Sequence, residues 1–552
     1  MPLHFGSQSV SRELFTQQLI DSPPSVIAID IETISLKERW PLTLAIAVSP
    51  TEAWTFDCYP EPERELSLIA PLLKNPAIKK VFHNASFDMR ALPLIPWLEE
   101  SDRSNIADTI VMARLLGNTA VALQFLATQV GRPAEPASET LARFNAKTML
   151  EVPVKDRAIK CANDAMVTLA LYEKFLPLID QAYFDVEMKV IPILIDMGLR
   201  GIKIDHAELD RLETKVLGEV AYYRKLCDEE GFNPASPQQV GYILAKRGSW
   251  LPFTRSKKSL RTDEETLEFL DDPMAAIVLN FRKMNKAYGT YIKPLKTEDR
   301  FTTEYYLETD VGRTNSRNRN IQNIPDGQKA PYLNLRSMFV PDSGTYCTGD
   351  FSQEHLYILM YNSGDRAMKR VYEEGEYGGD IHQFAAEEMG IPRKIAKTIN
   401  YAVVYGATAH TISVRAKIKD IKKCSDFLDR WFRTFRDAAE WIRAAQDYGI
   451  RTGWSLPTLF GRSIKLPDEV NWQGNIDIEG KKRKAVNYPI LGSDGEVMKR
   501  ALIICREKNL PLAIQVHDSI TIDADCEFPI EQLEHIAPVR IPFRVTKSDR
   551  WE

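Results

Sequence analysis

The chain of 552 residues is 44% apolar and 27% charged with a formal net charge of −5, the profile of a globular protein too long for one hydrophobic core. No run approaches the roughly 18 to 20 apolar residues that cross a bilayer. The start, MPLHFGSQSV, has neither a secretory nor a transit-peptide pattern, so a cytoplasmic protein is expected.

In chain order, residues 26–32 (VIAIDIE), 43–49 (TLAIAVS), 53–58 (AWTFDC) and 79–83 (KKVFH) read as short buried strands, and helical patterns follow from about 108 to 180. This is an α/β block. From about Glu187 the pattern turns long and helical; GLRGIKID at 198–205 reads as a turn into a new helix, and residues 205–296 as mostly helix with an N-cap-like NPASPQQ at 233–239. A second β-containing region begins near Phe301, includes the strand-like TYCTGDFS at 345–352, returns to helix over 365–450 and ends in strands near 512–522. The change of pattern places a domain boundary near residue 185. Basic clusters at Arg255–Lys258, Lys283–Lys296, Arg313–Arg319 and Lys481–Lys484 suit phosphate contacts, although each alone also fits a solvated face. The seven cysteines are scattered without a CxxC pair, which speaks against a disulfide framework and a zinc site.

Carboxylates carry the chemistry. Asp30 and Glu32 stand two apart at the end of a buried strand and so share a face; Asp88 follows in HNASFD and Asp164 in KCANDAMVT. Four converging carboxylates imply two divalent metals that activate water against a phosphodiester, while the first pair alone reads equally well as strand-end surface. Asp350 ends YCTGDFSQ and Asp518 sits in IQVHDSITID, each at a strand end or tight turn. Two such groups within about 4 Å repel by about 4 kcal/mol at an effective dielectric near 20. Two Mg²⁺ ions remove that cost and supply what nucleotidyl transfer requires. Between the aspartates, RKIAKTINYAVVYG (393–406) sets Arg393, Lys397, Tyr401 and Tyr405 along one inclined helical stripe roughly 18 Å long. Its cationic half suits phosphates and its aromatic half a base and sugar; alone, it also fits an amphipathic helix with charged solvent positions.

Together with GRTNSRNRNIQNIP (312–325), RSMFVPDSGTYCTGDFSQ (336–353), DIH (380–382), TLFGR (458–462), RKAVNYPILG (483–492) and QVHD (515–518), these motifs resemble those of the family A DNA polymerases. DIET, NASFD and the late DxxxT from Asp164 resemble the DEDD 3′–5′ exonucleases and cover about residues 20–180. The resemblance implies an α/β and α+β multidomain chain: a ribonuclease H-like exonuclease domain over 1–185, then a right-hand polymerase domain over 186–552. Within the latter it implies a thumb at about 186–300, a palm at about 301–365 and 455–552, and fingers at about 366–454.

The same resemblance implies that Asp350 and Asp518 are the catalytic metal-binding aspartates, with the Phe351 carbonyl as a further ligand. It implies that Arg393 and Lys397 bind the incoming triphosphate, that Lys397 protonates pyrophosphate, and that Gln353 and His382 add triphosphate contacts. Tyr405 would stack at the insertion site, and Tyr401 marks ready acceptance of dideoxynucleotides. Arg313, Arg483, Asn487, Gln515 and His517 would contact primer–template DNA in the minor groove, while Asp30, Glu32, Asp88 and Asp164 would hold the exonuclease metals. Two Mg²⁺ at each site, with Mn²⁺ as a substitute, follow from it. So do DNA and dNTPs as partners, a phage-like replicative role with proofreading, and a monomer without membrane contact or a thumb-inserted processivity factor. Four positions depart from the pattern: His355, preceded by Glu354, where a Glu blocks a 2′-hydroxyl; Ser519 for Glu; Leu491 for Gln; and Lys160 for the Tyr that orients the attacking water. The rival readings are a nuclease with a degenerate polymerase fold and a non-catalytic DNA-binding protein.

Overall fold

The computed structural model describes residues 17, 19–91, 105–254, 258–307, 309–325, 327, 333–470 and 474–552. The N-terminal MPLHFGSQSV and positions 255–257 of the first basic cluster lie outside them. Contacts divide the chain into two compact units: Met1–Arg200 with Thr303–Asn320 and Met498–Lys508, and Gly201–Thr302 with Ile321–Val497 and Asn509–Glu552. Residue 185 lies within a continuous helix, Gln181–Arg200.

The first unit is built on a five-stranded sheet of β1 (Val26–Thr33), β2 (Pro41–Ser49), β3 (Glu52–Asp57), β4 (Lys79–Phe82) and β5 (Ile106–Asp108), in the order β3-β2-β1-β4-β5. β1 pairs antiparallel with β2 and parallel with β4, so the sheet is mixed. The first four strands are the apolar runs seen in the sequence; β1, β2 and β4 are buried along most of their length, and β3, at the sheet edge, only at Ala53 and Phe56. β5 is three residues long and exists through its parallel pairing with β4, too short for a local pattern to reveal. The helix α1 (Val154–Phe175) packs on the sheet. It is pinned there by Arg157, which is buried, donates to Thr43 Oγ1 at 2.9 Å and Met149 O at 3.2 Å, and meets Asp57 at 3.4 Å.

Of the segment 198–205, expected as a turn into a new helix, residues 198–200 end the helix Gln181–Arg200, and in the second unit Ile202–Ile204 form the strand β6 before the helix α2 (His206–Glu229). β6 pairs with β7 (Arg300–Phe301) and β8 (Phe339–Val340), partners that a local reading cannot see. Asp205 then caps α2, accepting from Ala207 N at 3.0 Å and Glu208 N at 3.2 Å. A four-stranded antiparallel sheet holds β9 (Tyr346–Phe351) between β11 (Ser519–Ile522) and β12 (Phe543–Ser548), with β10 (Leu512–Val516) at its edge. A helical cluster with its own apolar core around Phe384, Trp431 and Phe435 contains α3 (Ile381–Met389), α4 (Arg393–Val404) and α5 (Ile421–Thr434).

Candidate active sites

The second unit brings Asp350 and Asp518 together by strand pairing. A Cβ on Gly349 would stand 2.0 Å from Phe543 Cζ, so only glycine lets that ring lie across β9. There it meets Phe351 edge-on, centroids 4.9 Å apart. β10 and β11 are joined by the two-residue turn His517–Asp518 between the paired Val516 and Ser519. His517 has φ 53°, a conformation at the first position of a hairpin turn that usually demands glycine, so strain is stored at this loop. Asp350 pairs with Ser519, and Phe351 N donates to the Asp518 carbonyl at 3.1 Å. Although Asp350 is accessible to water, loss of hydration and then the Asp518 charge push its carboxyl up to about 7, against the pull of Arg544. Burial and Asp494 raise Asp518 as well, opposed by its own backbone amide, His355 and His517. Two oxygen-donor groups held in mutual repulsion fit a hard divalent cation.

The stripe on α4 faces outward because the opposite face is anchored. Asn400 is buried; its Nδ2 lies 2.9 Å from His382 Nδ1, and its Oδ1 accepts from Trp431 Nε1 at 2.9 Å. Arg393 is exposed and pairs with Asp380 at 2.8 Å. Asp380 also caps α3, accepting from His382 N and Gln383 N at 3.0 Å. Lys397 is exposed one turn further on. Burial pushes His382 down to about 4, Asp380 opposing and Lys397 and Arg393 assisting, so the ring is neutral at physiological pH. Its centroid lies 5.5 Å from that of Tyr401. The Tyr401 phenol is pushed up to about 12 by burial, then by the charges of Asp518, Tyr405 and Asp350, which places it within electrostatic reach of both aspartates. Gln353 accepts from the Tyr372 hydroxyl at 3.0 Å.

Tyr405 ends the helix with its hydroxyl 2.9 Å from His355 Nδ1, and His355 Nε2 lies 3.5 Å from the buried Asp494. Gly406, at φ 66°, follows; a Cβ there would stand 3.2 Å from Arg483 Cα. Arg483 is exposed, 3.9 Å from Asp477, and Asn487 Oδ1 is buried without a hydrogen-bond partner. Gln515 is buried, accepting from Gln322 Nε2 at 3.0 Å and donating to His517 O at 2.8 Å. Arg313 belongs to the first unit, where its carbonyl accepts from Thr309 Oγ1 at 2.6 Å. Sequence reasoning missed Asp380, Asn400, Asp494 and Arg544. Of these only Asp380 left a signal, as a capping residue opening DIH.

In the first unit, Asp30, Glu32 and Asp164 have ligand oxygens all within 4.8 Å of one another. α1 makes this possible: one turn after the pinned Arg157, Cys161 Sγ reaches Asp30 O at 3.3 Å, and Asp164 follows on the same face. Asp88 is buried on the short helix Ala85–Ala91. Burial raises Asp30 well above the usual carboxylate range, Asp164 and Glu32 adding to it. Asp88 is raised by burial, then by Asp30 and Asp108. Asp164 is pushed up to about 6 by burial, with Lys160 opposing, and its Oδ1 is buried without a hydrogen-bond partner. An all-oxygen donor set with an unpartnered buried oxygen fits Mg²⁺ or Mn²⁺. Asp108 has a structural task instead, accepting from Asn84 N, Ala85 N and Ile110 N at 3.2, 2.7 and 2.8 Å.

Residues 207–539 match the family model for DNA polymerase family A. The chain belongs to the family A DNA polymerases. Residues 7–180 match the family model for a 3′–5′ exonuclease, so this family A chain carries an exonuclease domain ahead of its polymerase domain. It is similar to DNA polymerase I of Chloroflexus aurantiacus, 29% identical across 83% of the chain and 52% of that protein. It is also similar to DNA polymerase I of Pseudomonas aeruginosa, 26% identical across 93% of the chain and 61% of that protein, and to the thermostable DNA polymerase I of Thermus aquaticus, 29% identical across 66% and 47%. The chain thus spans about half the length of most of these relatives. A solved structure of the POL domain of Pol1 from M. smegmatis, in complex with DNA primer-template and dNTP, superposes with a TM-score of 0.79 over 97% of each chain at 22% identity. That likeness establishes the fold, a mixed α/β multidomain polymerase fold as expected from the sequence. Domains of these two families generally use divalent metals, and the carboxylate cluster for one such site is present. Among the described residues no helix is long and apolar enough to cross a membrane.

Proposed function

We propose that this chain is a template-directed DNA polymerase that adds dNTPs to a primer 3′ end, with a 3′–5′ exonuclease that trims mispaired ends. The observation that carries the reading is the pairing of Asp350 with the Asp518 turn, beside a helix that presents Arg393, Lys397 and Tyr401. When bound, two divalent ions, Mg²⁺ or Mn²⁺, at each site activate the attacking oxygen and stabilise the leaving one. Asp350, Asp518 and the Phe351 carbonyl hold them at the polymerase site; Asp30, Glu32, Asp88 and Asp164 hold them at the exonuclease site.

Arg393 exchanges Asp380 for triphosphate oxygens, gaining charge-assisted hydrogen bonds. Lys397, one turn along and exposed, holds the β- and γ-phosphates and delivers a proton to pyrophosphate as it leaves. Gln353 and His382 orient the same phosphates, His382 as a neutral donor. Tyr405, steadied by His355, stacks at the insertion site, and Arg313, Arg483, Asn487, Gln515 and His517 contact the primer–template. The reading assigns residues 1–185 to the exonuclease domain and 186–552 to thumb, palm and fingers, and implies a monomeric replication enzyme of the cytoplasm. A labelled primer–template with dNTPs and Mg²⁺ tests it. Extension lost in Asp350→Ala but kept in Asp30→Ala is expected; shortening alone would leave only a nuclease, and a mobility shift alone only a DNA-binding protein.

A further inference from the structure

We propose that Lys160 is a built-in counter-cation of the exonuclease site: its ammonium occupies the position of one divalent ion between Glu32 and Asp164, so that loading of that position requires its displacement. The inference rests on the exonuclease reading above.

The geometry is that of a cation already in place. Lys160 Nζ lies 2.6 Å from Glu32 Oε1 and 2.6 Å from Asp164 Oδ2, shorter than ordinary charge-assisted contacts. Those are two of the three carboxylates whose ligand oxygens fall within 4.8 Å of one another. Oxygens on opposite sides of Mg²⁺ stand about 4.2 Å apart at metal–oxygen distances of about 2.0 to 2.1 Å, so the three carboxylates converge on one ion position to within less than about 1 Å. An ammonium and a divalent ion cannot share it.

Lys160 is also not a surface side chain that happens to swing inward. Its side chain is 10% exposed, as is that of Glu32, and that of Asp164 is 7% exposed. Its backbone is held in place, because Arg157 pins the same helix to the sheet one turn earlier through the buried Thr43 and Met149 and through the half-exposed Asp57. Both of its carboxylate contacts come from side chains as buried as its own. Only side-chain torsions can carry the ammonium away.

The lysine does not complete the site. It satisfies Asp164 Oδ2 and leaves Asp164 Oδ1 buried without a hydrogen-bond partner. Its two carboxylate bonds go to Glu32 and Asp164, so Asp30 and Asp88 remain for a second cation. The site is thus organised for one divalent ion beside an internal ammonium, and for two once the ammonium is displaced. Trimming of DNA should then demand more metal than the family's carboxylate set would need without the lysine.

Mn²⁺ binding to the full chain, followed by the electron paramagnetic resonance of free Mn²⁺, tests this. An Asp350→Ala/Asp518→Ala background silences the other carboxylate pair. Lys160→Met is expected to bind one additional Mn²⁺ with at least 10-fold higher affinity than the parent, and Lys160→Arg, which keeps the charge, to match the parent. Adding Glu32→Gln to Lys160→Met should abolish the gain. Thermal melting gives a second readout: Lys160→Met should melt lower than the parent in EDTA and recover more on addition of Mg²⁺. Should the methionine variant fail to fold, Lys160→Gln is read the same way. Unchanged or weaker Mn²⁺ binding on loss of the charge overturns the proposal. Tighter metal binding without any trimming of a frayed primer would uphold the counter-cation and instead overturn the exonuclease reading.

Discussion

Asp350→Asn is expected to stabilise the metal-free protein above pH 7 while abolishing DNA synthesis. The Asp350 carboxyl rises from 3.8 to about 7 in the folded chain. A rise of about three is worth about 4 kcal/mol at 1.36 kcal/mol per pKa unit; because the group is open to solvent, screening reduces this to about 1–2 kcal/mol. The sign follows from proton counting. An acid whose folded-state value lies above its unfolded value holds its proton longer in the folded state, so stability falls as pH rises through that window and the deficit is complete above the folded value. Asparagine carries no such deficit. Thermal melts in EDTA should therefore place the variant a few degrees above the parent at pH 8, given about 2–4 °C per kcal/mol for units of 150–250 residues and less for larger ones. At pH 5 the gap should be about one third as large. Mg²⁺ should narrow it at pH 8, because the ion relieves the Asp350–Asp518 repulsion only in the parent, while metal at the other carboxylate cluster acts on both proteins alike. Coincident melts at pH 8 without metal, or a gap that shrinks as pH rises, would refute the electrostatic account of this pair.

Three further perturbations separate chemistry from packing. Tyr401→Phe removes a hydroxyl held within reach of both aspartates and should lower the use of dideoxynucleotides relative to dNTPs by roughly 10-fold, the worth of one hydrogen bond; competition on a single-nucleotide extension gel measures it, and equal ratios for the two proteins would remove Tyr401 from this role. Gly449→Ala places a Cβ 2.5 Å from Ala485 Cβ and 2.8 Å from Leu466 Cδ1 and should cost about 1–3 kcal/mol. Gly218→Ala, on the exposed side of α2 with nothing within 4 Å, should instead stabilise by about 0.5–1 kcal/mol. An upward thermal shift for Gly449→Ala as well would show that the close packing around Gly449 yields freely.

How much of the candidate sites could be read beforehand depends on sequence distance. The carboxylates Asp30, Glu32, Asp350 and Asp518 were legible because each sits at the end of an apolar run whose strand is formed as expected. The stripe from Arg393 to Tyr405 was legible because four-residue spacing is a property of the helix itself. His355 shows the limit. Its identity marked a departure, but its bond to Tyr405, 50 residues away, and its approach to Asp494 belong to no local pattern.

The sequence by itself determined the family, the order of the two domains and the identity of the acidic groups, since these are carried by side-chain type and short-range spacing. Only the tertiary structure decided what those groups face. β6 exists through partners about 100 and 135 residues further along the chain. Arg544 stands opposite Asp350 through β12, and Lys160 lies between Glu32, 128 residues away, and Asp164. The physical reason is that strand registry and charge proximity are set when distant segments pack, and a carboxylate's proton and metal affinities answer to the charges beside it in space.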